Sequence, residues 1–426
     1  MSRLVLTGYL VGEYPVKCNE PRKTTRITVH RHHDVNKTKA DIVATSFLPI
    51  LDSHTGEVAL APFNPHKTHT DNIKAAAAHR FAREIPPPSK KRAEHFVAYG
   101  RRFIQRWFEP LTPKELLTHE EWLAGTKYSA SRQEALRVLH RNTAKADSAT
   151  AANKSFIKDE IYSEPKMPRG INSYTDESKT ILGPIIKSVD KKTFMAKWFI
   201  KGTDPREWPR MMTALFLDSP VMETDFSSFE AHHTGIYAEM VHYWFMHMLR
   251  GAGLSTGKKR LISRMVLGSN VCRFKDVTVK LPQSLMSGAL WTSSSNGVLN
   301  LLIISYLSGV AYKPDATPEW LADNVDEYFT GRVEGDDGIC LDRHVPESLM
   351  KEMGINLKFE SHPTFQEANF CGCVCDGQDY AVVTDPLRVL RGMTWLPAKY
   401  AHQPVKNGYA LLRCKALSYL VTVPNC

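Results

Sequence analysis

Apolar positions recur at helical spacing from Ala93 to Phe108, then over Glu115–Leu123 and Arg132–Leu139, with Thr112-Pro113 suited to a cap and first turn. The stretch IPPPSKKR (85–92) ahead of them fits neither helix nor central strand, and predicts an extended connector into a basic surface. Short β-like runs lie at Arg26–Val29 and Ile42–Phe47. SFIKDEIY (155–162) reads as a strand, with a turn at Ser163–Pro165 and a second short strand from Lys166. Further on, SPVMETD (219–225) reads as a strand ending at its aspartate, and residues 227–249 as an apolar-rich helix. A Gly-containing break, a helix from Trp291 to Val298 and a hairpin over 329–341 follow. Last come a helix at Pro346–Met353 and strands near Leu357–Phe359 and Phe370–Val374. This order predicts an α+β fold whose antiparallel sheet carries helices on one face. The longest apolar run, Val298–Tyr312, is interrupted by Asn300, Ser305, Ser308 and Gly309. It falls short of the roughly 18 unbroken residues of a spanning helix, and is expected to be a buried core helix.

Composition narrows the picture. A chain of 426 residues can form two or three lobes. Its charged (23%) and hydrophobic (42%) shares are those of an ordinary globular protein. A net charge of +10 suits an anionic partner. Of the eight cysteines, Cys18, Cys272, Cys340, Cys414 and Cys426 have no paired-looking spacing, and Met1–Leu10 has no secretory pattern, so a reducing, cytosolic setting is expected. Cys371, Cys373 and Cys375 alternate, which would put three buried thiols on one strand face; zinc sites favour wider pairs and need a fourth ligand. GAGLSTGKK (251–259) is no phosphate loop, because Lys259 stands at the Ser/Thr position and a helix precedes it. His30, His32 and His33 read as a polar surface patch, and Tyr243-Trp244-Phe245 as core.

Three stretches carry candidate chemistry. In VEGDDGIC (333–340) two adjacent carboxylates sit between apolar residues. Either Asp337-Gly338 is a hairpin turn, or the pair holds a cation. TDFSSFE places Asp225 at a strand end and Glu230 five residues later; Ser227 to Glu230 also matches a capping box. SGALWTSSSN (287–296) begins with the flexible pair Ser287-Gly288 and sets Thr292 and Asn296 on one helix face, where a polar helix start is the alternative.

Asp225-x4-Glu230, then Ser287-Gly288-x3-Thr292-x3-Asn296, then Gly335-Asp336-Asp337, taken in order, resemble palm motifs A, B and C of the viral RNA-dependent RNA polymerases. The resemblance extends further. KSFIKDEIYSEPKMPRGI (154–171) resembles motif F, implying that Lys158, Lys166 and Arg169 line the path of the incoming nucleotide. Residues 111–136 and 199–208 are similar to fingers segments of the tombusvirus- and nodavirus-like branch of positive-strand RNA viruses, with Tyr128 and Ser129 at the template entrance. MGINLKFE (353–360) resembles motif D and NFCGC (369–373) motif E. Motif D supplies a general acid, for which Lys358 and His362 are both candidates. Where the family carries Asp, this chain carries Glu230, which keeps an acceptor for the ribose 2′-OH beside Asn296.

The resemblance implies a right-hand polymerase. Its N-terminal segment and fingers would occupy 1–215, its palm 216–376 with a fingers insertion at about 250–282, and a small or truncated thumb 377–426. It implies two Mg2+ or Mn2+ ions on Asp225, Asp336 and Asp337, with Glu230, Ser287, Gly288, Thr292 and Asn296 at the nucleotide. The partners would be template RNA, nascent RNA, nucleoside triphosphates and other viral replication proteins that supply membrane attachment in the host cytoplasm. A reverse transcriptase and a non-enzymatic basic RNA-binding protein are the rival readings. Preference for dNTPs would favour the first, and indifference to Asp336→Asn the second.

Overall fold

Alternation along strand Val221–Phe226 (β4 below) sets the geometry of the central sheet: Met222, Thr224 and Phe226 are buried, while Glu223 and Asp225 point to the other face. The structure, a computed structural model, describes residues 5–7, 9–15, 20–31, 39–44, 63–143, 152–160, 162, 164–385, 389, 395–397 and 404–422. The expectations for Cys18, His32, His33, Cys426 and the 45–47 end of the second β-run lie outside these residues.

Nine strands form the two larger sheets: Arg26–Val29 (β1), Ala152–Ile157 (β2), Gly170–Tyr174 (β3), Val221–Phe226 (β4), Asn270–Arg273 (β5), Val277–Leu281 (β6), Gly331–Glu334 (β7), Asp337–Leu341 (β8) and Leu357–His362 (β9). One sheet runs β9-β4-β8-β7, antiparallel throughout; the other runs β1-β6-β5-β2-β3 and is mixed, because β2 and β5 are parallel. A third, short sheet joins Val5–Thr7, Lys39–Ala44 and Trp395–Pro397. The fold is therefore α+β, with a mixed second sheet beside the expected antiparallel one.

The helix Thr292–Tyr312 is buried along almost its whole length beneath β7 and β8. It is long and apolar enough to cross a membrane, but its surroundings make it the core helix anticipated from sequence. Helices Lys90–Trp107 and Gly235–Met248 pack against it. Lys90–Trp107 buries Phe96, Tyr99, Gly100, Phe103 and Ile104, a stripe at helical spacing. At Gly100 the next helix comes so close that an added Cβ would lie 2.9 Å from Met240 Sδ. Trp244 and Phe245 are fully buried, as expected of core.

Several boundaries differ from the pattern-based reading. The strand expected to reach Tyr162 ends at Ile157, after which one more backbone bond, Lys158 N–H to Arg169 O at 2.7 Å, closes the base of a wide loop. The helix expected over 227–249 is two, Phe229–His232 and Gly235–Met248, split where Gly235 adopts φ +51°. Around Cys371 no long strand forms. Phe370 and Cys373 pair across a two-residue turn in which Cys371 and Gly372 both have positive φ, so the three cysteines do not share a strand face. The described cysteines are all free thiols.

Candidate active site

The hairpin β7–β8 turns at Gly335-Asp336, flanked by the paired residues Glu334 and Asp337. Gly335 takes φ +60°, which a first turn position of the II′ kind demands of it. This corrects the alternative of an Asp337-Gly338 turn. Gly338 instead lies buried within β8, where a Cβ would meet Thr224 Oγ1 at 2.7 Å and Asn300 Nδ2 at 3.3 Å. Beneath the turn, the Asn300 amide donates to the carbonyls of Gly335, Asp336 and Asp337 at 3.3, 3.1 and 3.1 Å. From the side, Lys201 reaches Glu334 at 2.5 Å and Ser293 hydroxyl reaches the same carboxylate oxygen at 3.2 Å. The turn is anchored through its backbone, and the carboxylates make only local bonds, Asp336 to its own backbone N–H and Asp337 to the Cys371 thiol.

Thr224 pairs with Gly338, so one position further along this ladder Asp225 and Asp337 come opposite each other. On the other side of β4, Asp225 pairs with Lys358 of β9. The row Asp337–Asp225–Lys358 therefore lies on one sheet face. All three residues reach solvent, yet the surrounding protein withdraws enough water to matter electrostatically. Burial, then the neighbouring charges of Asp336, Asp225 and Glu223, push the Asp337 carboxyl up to about 6. Asp336 is also raised, by burial and by the charge of Glu230, with Arg80 and Arg169 pulling the other way. Lys358 is held more basic than usual by its bond to Glu360 and by the charges of Glu360, Asp225 and Glu223. His362, the other candidate acid, pairs in register with Val221, four residues (~13 Å) along the strand from Asp225, and its partner is Glu223 at 3.3 Å. Lys358 is the one placed beside the carboxylates.

Among the described residues, no three Asp, Glu, His or Cys side chains close into a ligand cage. The donor set nonetheless fits a hard divalent cation. Its members are carboxylates, and their mutual repulsion adds to burial in raising Asp337. That repulsion has a measurable counterpart. Chelator-treated Asp337→Asn is expected to melt above the parent at pH 7.5, with the gap closing between pH 6 and 4. The sign follows because the folded-state value lies above the roughly 3.9 of an unfolded Asp, so protonation favours folding and ionisation above about pH 6 weakens it. Equal melting temperatures at pH 7.5 would count against crowded carboxylates.

The other candidates fall into two groups around this row. Glu230 is not a capping residue: Ser228 adopts a left-handed backbone with no side-chain cap, its hydroxyl donating instead to His79 O at 2.8 Å. Glu230 pairs with Arg80 at 2.9 Å, so its acceptor is shared with a cation the sequence reading missed. Asn296 is nearly buried, and its Oδ1 accepts from His233 Nε2 at 3.1 Å. Burial lowers that imidazole to about 3, so it is neutral; because Oδ1 can only accept, the ring proton sits on Nε2, leaving the amide protons of Asn296 for another partner. Thr292 is no cap, since its helix follows Trp291 without a side-chain cap; its hydroxyl ties down the preceding loop, donating to the carbonyls of Met286 and Ala289 at 3.1 and 3.0 Å. The loop before it docks on β3: Asn172 N–H donates to Ser287 O at 2.6 Å, and Gly288, at φ +106°, leaves room for Ile171 and Asn172 O.

In the loop between β2 and β3, Glu160 binds Lys158 at 2.6 Å and Arg169 at 3.3 Å. Burial opposes its ionisation, but the bond to Lys158 and both cations hold it below the usual range. Lys166 pairs with Glu164 at 3.3 Å, and its peptide group is gripped on both sides by the Tyr9 hydroxyl. Tyr128 and Ser129 lie apart from the carboxylate row at the start of the helix Ala130–Thr143: Ser129 Oγ accepts from Arg132 N at 3.3 Å, and the Arg132 guanidinium stacks over Tyr128.

Arg80, Asn300 and His233 are the additions the structure makes. Asn300 continues the four-residue spacing Thr292, Asn296, Asn300, a signal present in the sequence. Arg80 ends an Ala-rich helix 150 residues from its partner and carries no local signal. In comparisons with known proteins, the model of the viral RNA-dependent RNA polymerase family matches residues 179–416, more than half the chain. No curated protein matches it.

Proposed function

The chain belongs to the viral RNA-dependent RNA polymerase family and carries out template-directed RNA synthesis from nucleoside triphosphates; on that premise we propose that Asp225, Asp336 and Asp337 are its catalytic carboxylates. The observation that carries the assignment is the register that sets Asp225 opposite Asp337, next to the turn bearing Asp336. These three would hold two Mg2+ or Mn2+ ions, which when bound would supply the positive charge that activates a 3′-hydroxyl and supports departing pyrophosphate. Lys358, kept protonated by Glu360, Asp225 and Glu223, is positioned to give its proton to that leaving group. Lys158, Lys166 and Arg169 receive the triphosphate, Arg169 with a two-pronged guanidinium. Glu230 and Asn296 read the ribose 2′-OH, while Ser287 and Gly288 shape the pocket through their loop and Thr292 fixes that loop. Tyr128 and Ser129 meet the template.

Two arrangements support the lobes. The four-stranded sheet falls wholly within 216–376, the proposed palm, while β5 and β6 join β1, β2 and β3 in one sheet, as an insertion at about 250–282 into the fingers would. Residues 377–426 would be the thumb. Segments 111–136 and 199–208 favour the tombusvirus- and nodavirus-like branch. Other viral replication proteins would attach the enzyme to membranes in the host cytoplasm.

Sugar reading gives a direct test. Asn296→Ala should reduce the preference for NTP over dNTP by about tenfold, the scale of one hydrogen bond of roughly 1–1.5 kcal/mol. Competition of the two nucleotides on one primed RNA template measures it, and an unchanged ratio would remove Asn296 from the pocket. Primer extension on homopolymeric RNA, beside Asp336→Asn, tests the carboxylates.

A further inference from the structure

The segment 79–83 is fastened to the turn 227–230 that follows Asp225. Ser228 hydroxyl donates to His79 O at 2.8 Å, and the Arg83 guanidinium donates to Ser227 Oγ at 2.8 Å. The Ser284 hydroxyl stands between Phe81 O at 2.8 Å and Glu230 O at 3.2 Å. From behind, Arg22 donates to Phe81 O at 3.1 Å and to Gln283 O at 2.8 Å. These contacts fix the backbone from which Arg80 projects. Its own contact is of another kind: Arg80 Nε lies 2.9 Å from Glu230 Oε1, a cation set on the single carboxylate of that turn. The charge of Arg80 also reaches the Asp336 carboxyl, which places the pair beside the proposed catalytic centre.

We propose that Arg80 is a positioning residue for sugar selection: it holds Glu230 by Oε1 so that Oε2 accepts the ribose 2′-OH, and the two residues act as a unit. The inference rests on the reading of Glu230 and Asn296 as the sugar pocket. The Glu230 side chain is 11% exposed and that of Arg80 24%, so the pair is sheltered yet still open to a ligand. Glutamate has one more rotatable side-chain bond than aspartate, and an unheld carboxylate at 230 would spread over several rotamers. A guanidinium on one oxygen selects one of these and leaves the second oxygen as an acceptor. The pairing also depends on length, because an aspartate at 230, one methylene shorter, would draw its carboxylate back from Arg80.

The test is single-nucleotide incorporation on one primed RNA template, with NTP and with dNTP, read as the ratio of the two kcat/KM values. The proteins are the parent, Arg80→Gln, Arg80→Lys, Glu230→Ala, Glu230→Asp and the double variant Arg80→Gln with Glu230→Asp. A ratio cancels any loss of folded enzyme, which lowers both values alike. Arg80→Gln should lower it about tenfold, the scale of one hydrogen bond, through the NTP value. Arg80→Lys keeps a cation within reach and should lose clearly less. Glu230→Asp should lower the ratio as well, and the double variant should be no worse than the worse single one, as expected of residues that act together. Losses that multiply in the double variant overturn the positioning role. So does an unchanged ratio in Arg80→Gln, and if both values fall together there, Arg80 is a contact to the triphosphate instead. Glu230→Ala separates this failure from that of the pocket. A ratio at the parent's value in Glu230→Ala means that Glu230 does not read the sugar, and the pocket falls with the proposal. A collapsed ratio there, with Arg80→Gln unmoved, removes Arg80 alone.

Discussion

Asp336→Asn is expected to lower nucleotide incorporation by about three orders of magnitude while leaving RNA affinity within about twofold of the parent. The turn makes this a clean substitution. Asn300 holds the backbone carbonyls of Gly335, Asp336 and Asp337, not their side chains, so an amide at 336 leaves the anchoring intact. The change removes one negative charge from a group that already raises the Asp337 carboxyl, so it relieves repulsion instead of adding it. A variant that keeps more than a tenth of the parent's incorporation rate would reject Asp336 as a catalytic group.

Asn300→Leu should produce the next largest effect, and on two observables at once. One NH2 group serves three carbonyls, and a leucine of similar volume leaves them with no donor in that space. An expected cost of about 2–3 kcal/mol corresponds, for a chain of 426 residues, to a melting temperature lower by about 2–3 °C. Activity should fall further than stability alone explains, by about a hundredfold, because a turn displaced by about 1 Å misplaces both carboxylates. Asn300→Asp discriminates the cause: it keeps the size and polarity but aims acceptors at acceptors, and should be no better than leucine. If Asn300→Asp behaves as the parent, the amide is not the anchor.

Much of this site was legible in the chain itself. Asp225, Asp336 and Asp337 stood out because they belong to an ordered set of motifs, where a hairpin turn was the alternative for the aspartate pair, and the register then set two of them face to face. The core helix was equally plain, although the two stretches expected over Trp291–Val298 and Val298–Tyr312 form one continuous helix, Thr292–Tyr312. What stayed hidden was pairing at a distance. That Glu230 meets Arg80, that Asn296 meets His233, and that Lys358 and not His362 stands beside Asp225 depend on strand register and helix crossing, which one chain's spacing does not encode. Local conformation was the other blind spot. Nothing in the alternation of Cys371, Cys373 and Cys375 shows that two consecutive residues there adopt positive φ.

The Glu160 carboxylate occupies the grip of Lys158 and Arg169 before any substrate arrives. On the proposed assignment of these two cations to the triphosphate, a nucleotide must compete with an internal anion, one already oriented at hydrogen-bonding distance. Weakly charged mimics, such as nucleoside monophosphates, should lose that contest, and a full triphosphate should win it. Selectivity for the energised form of the building block would in this way be written into the resting state of the enzyme, ahead of any check on base or sugar.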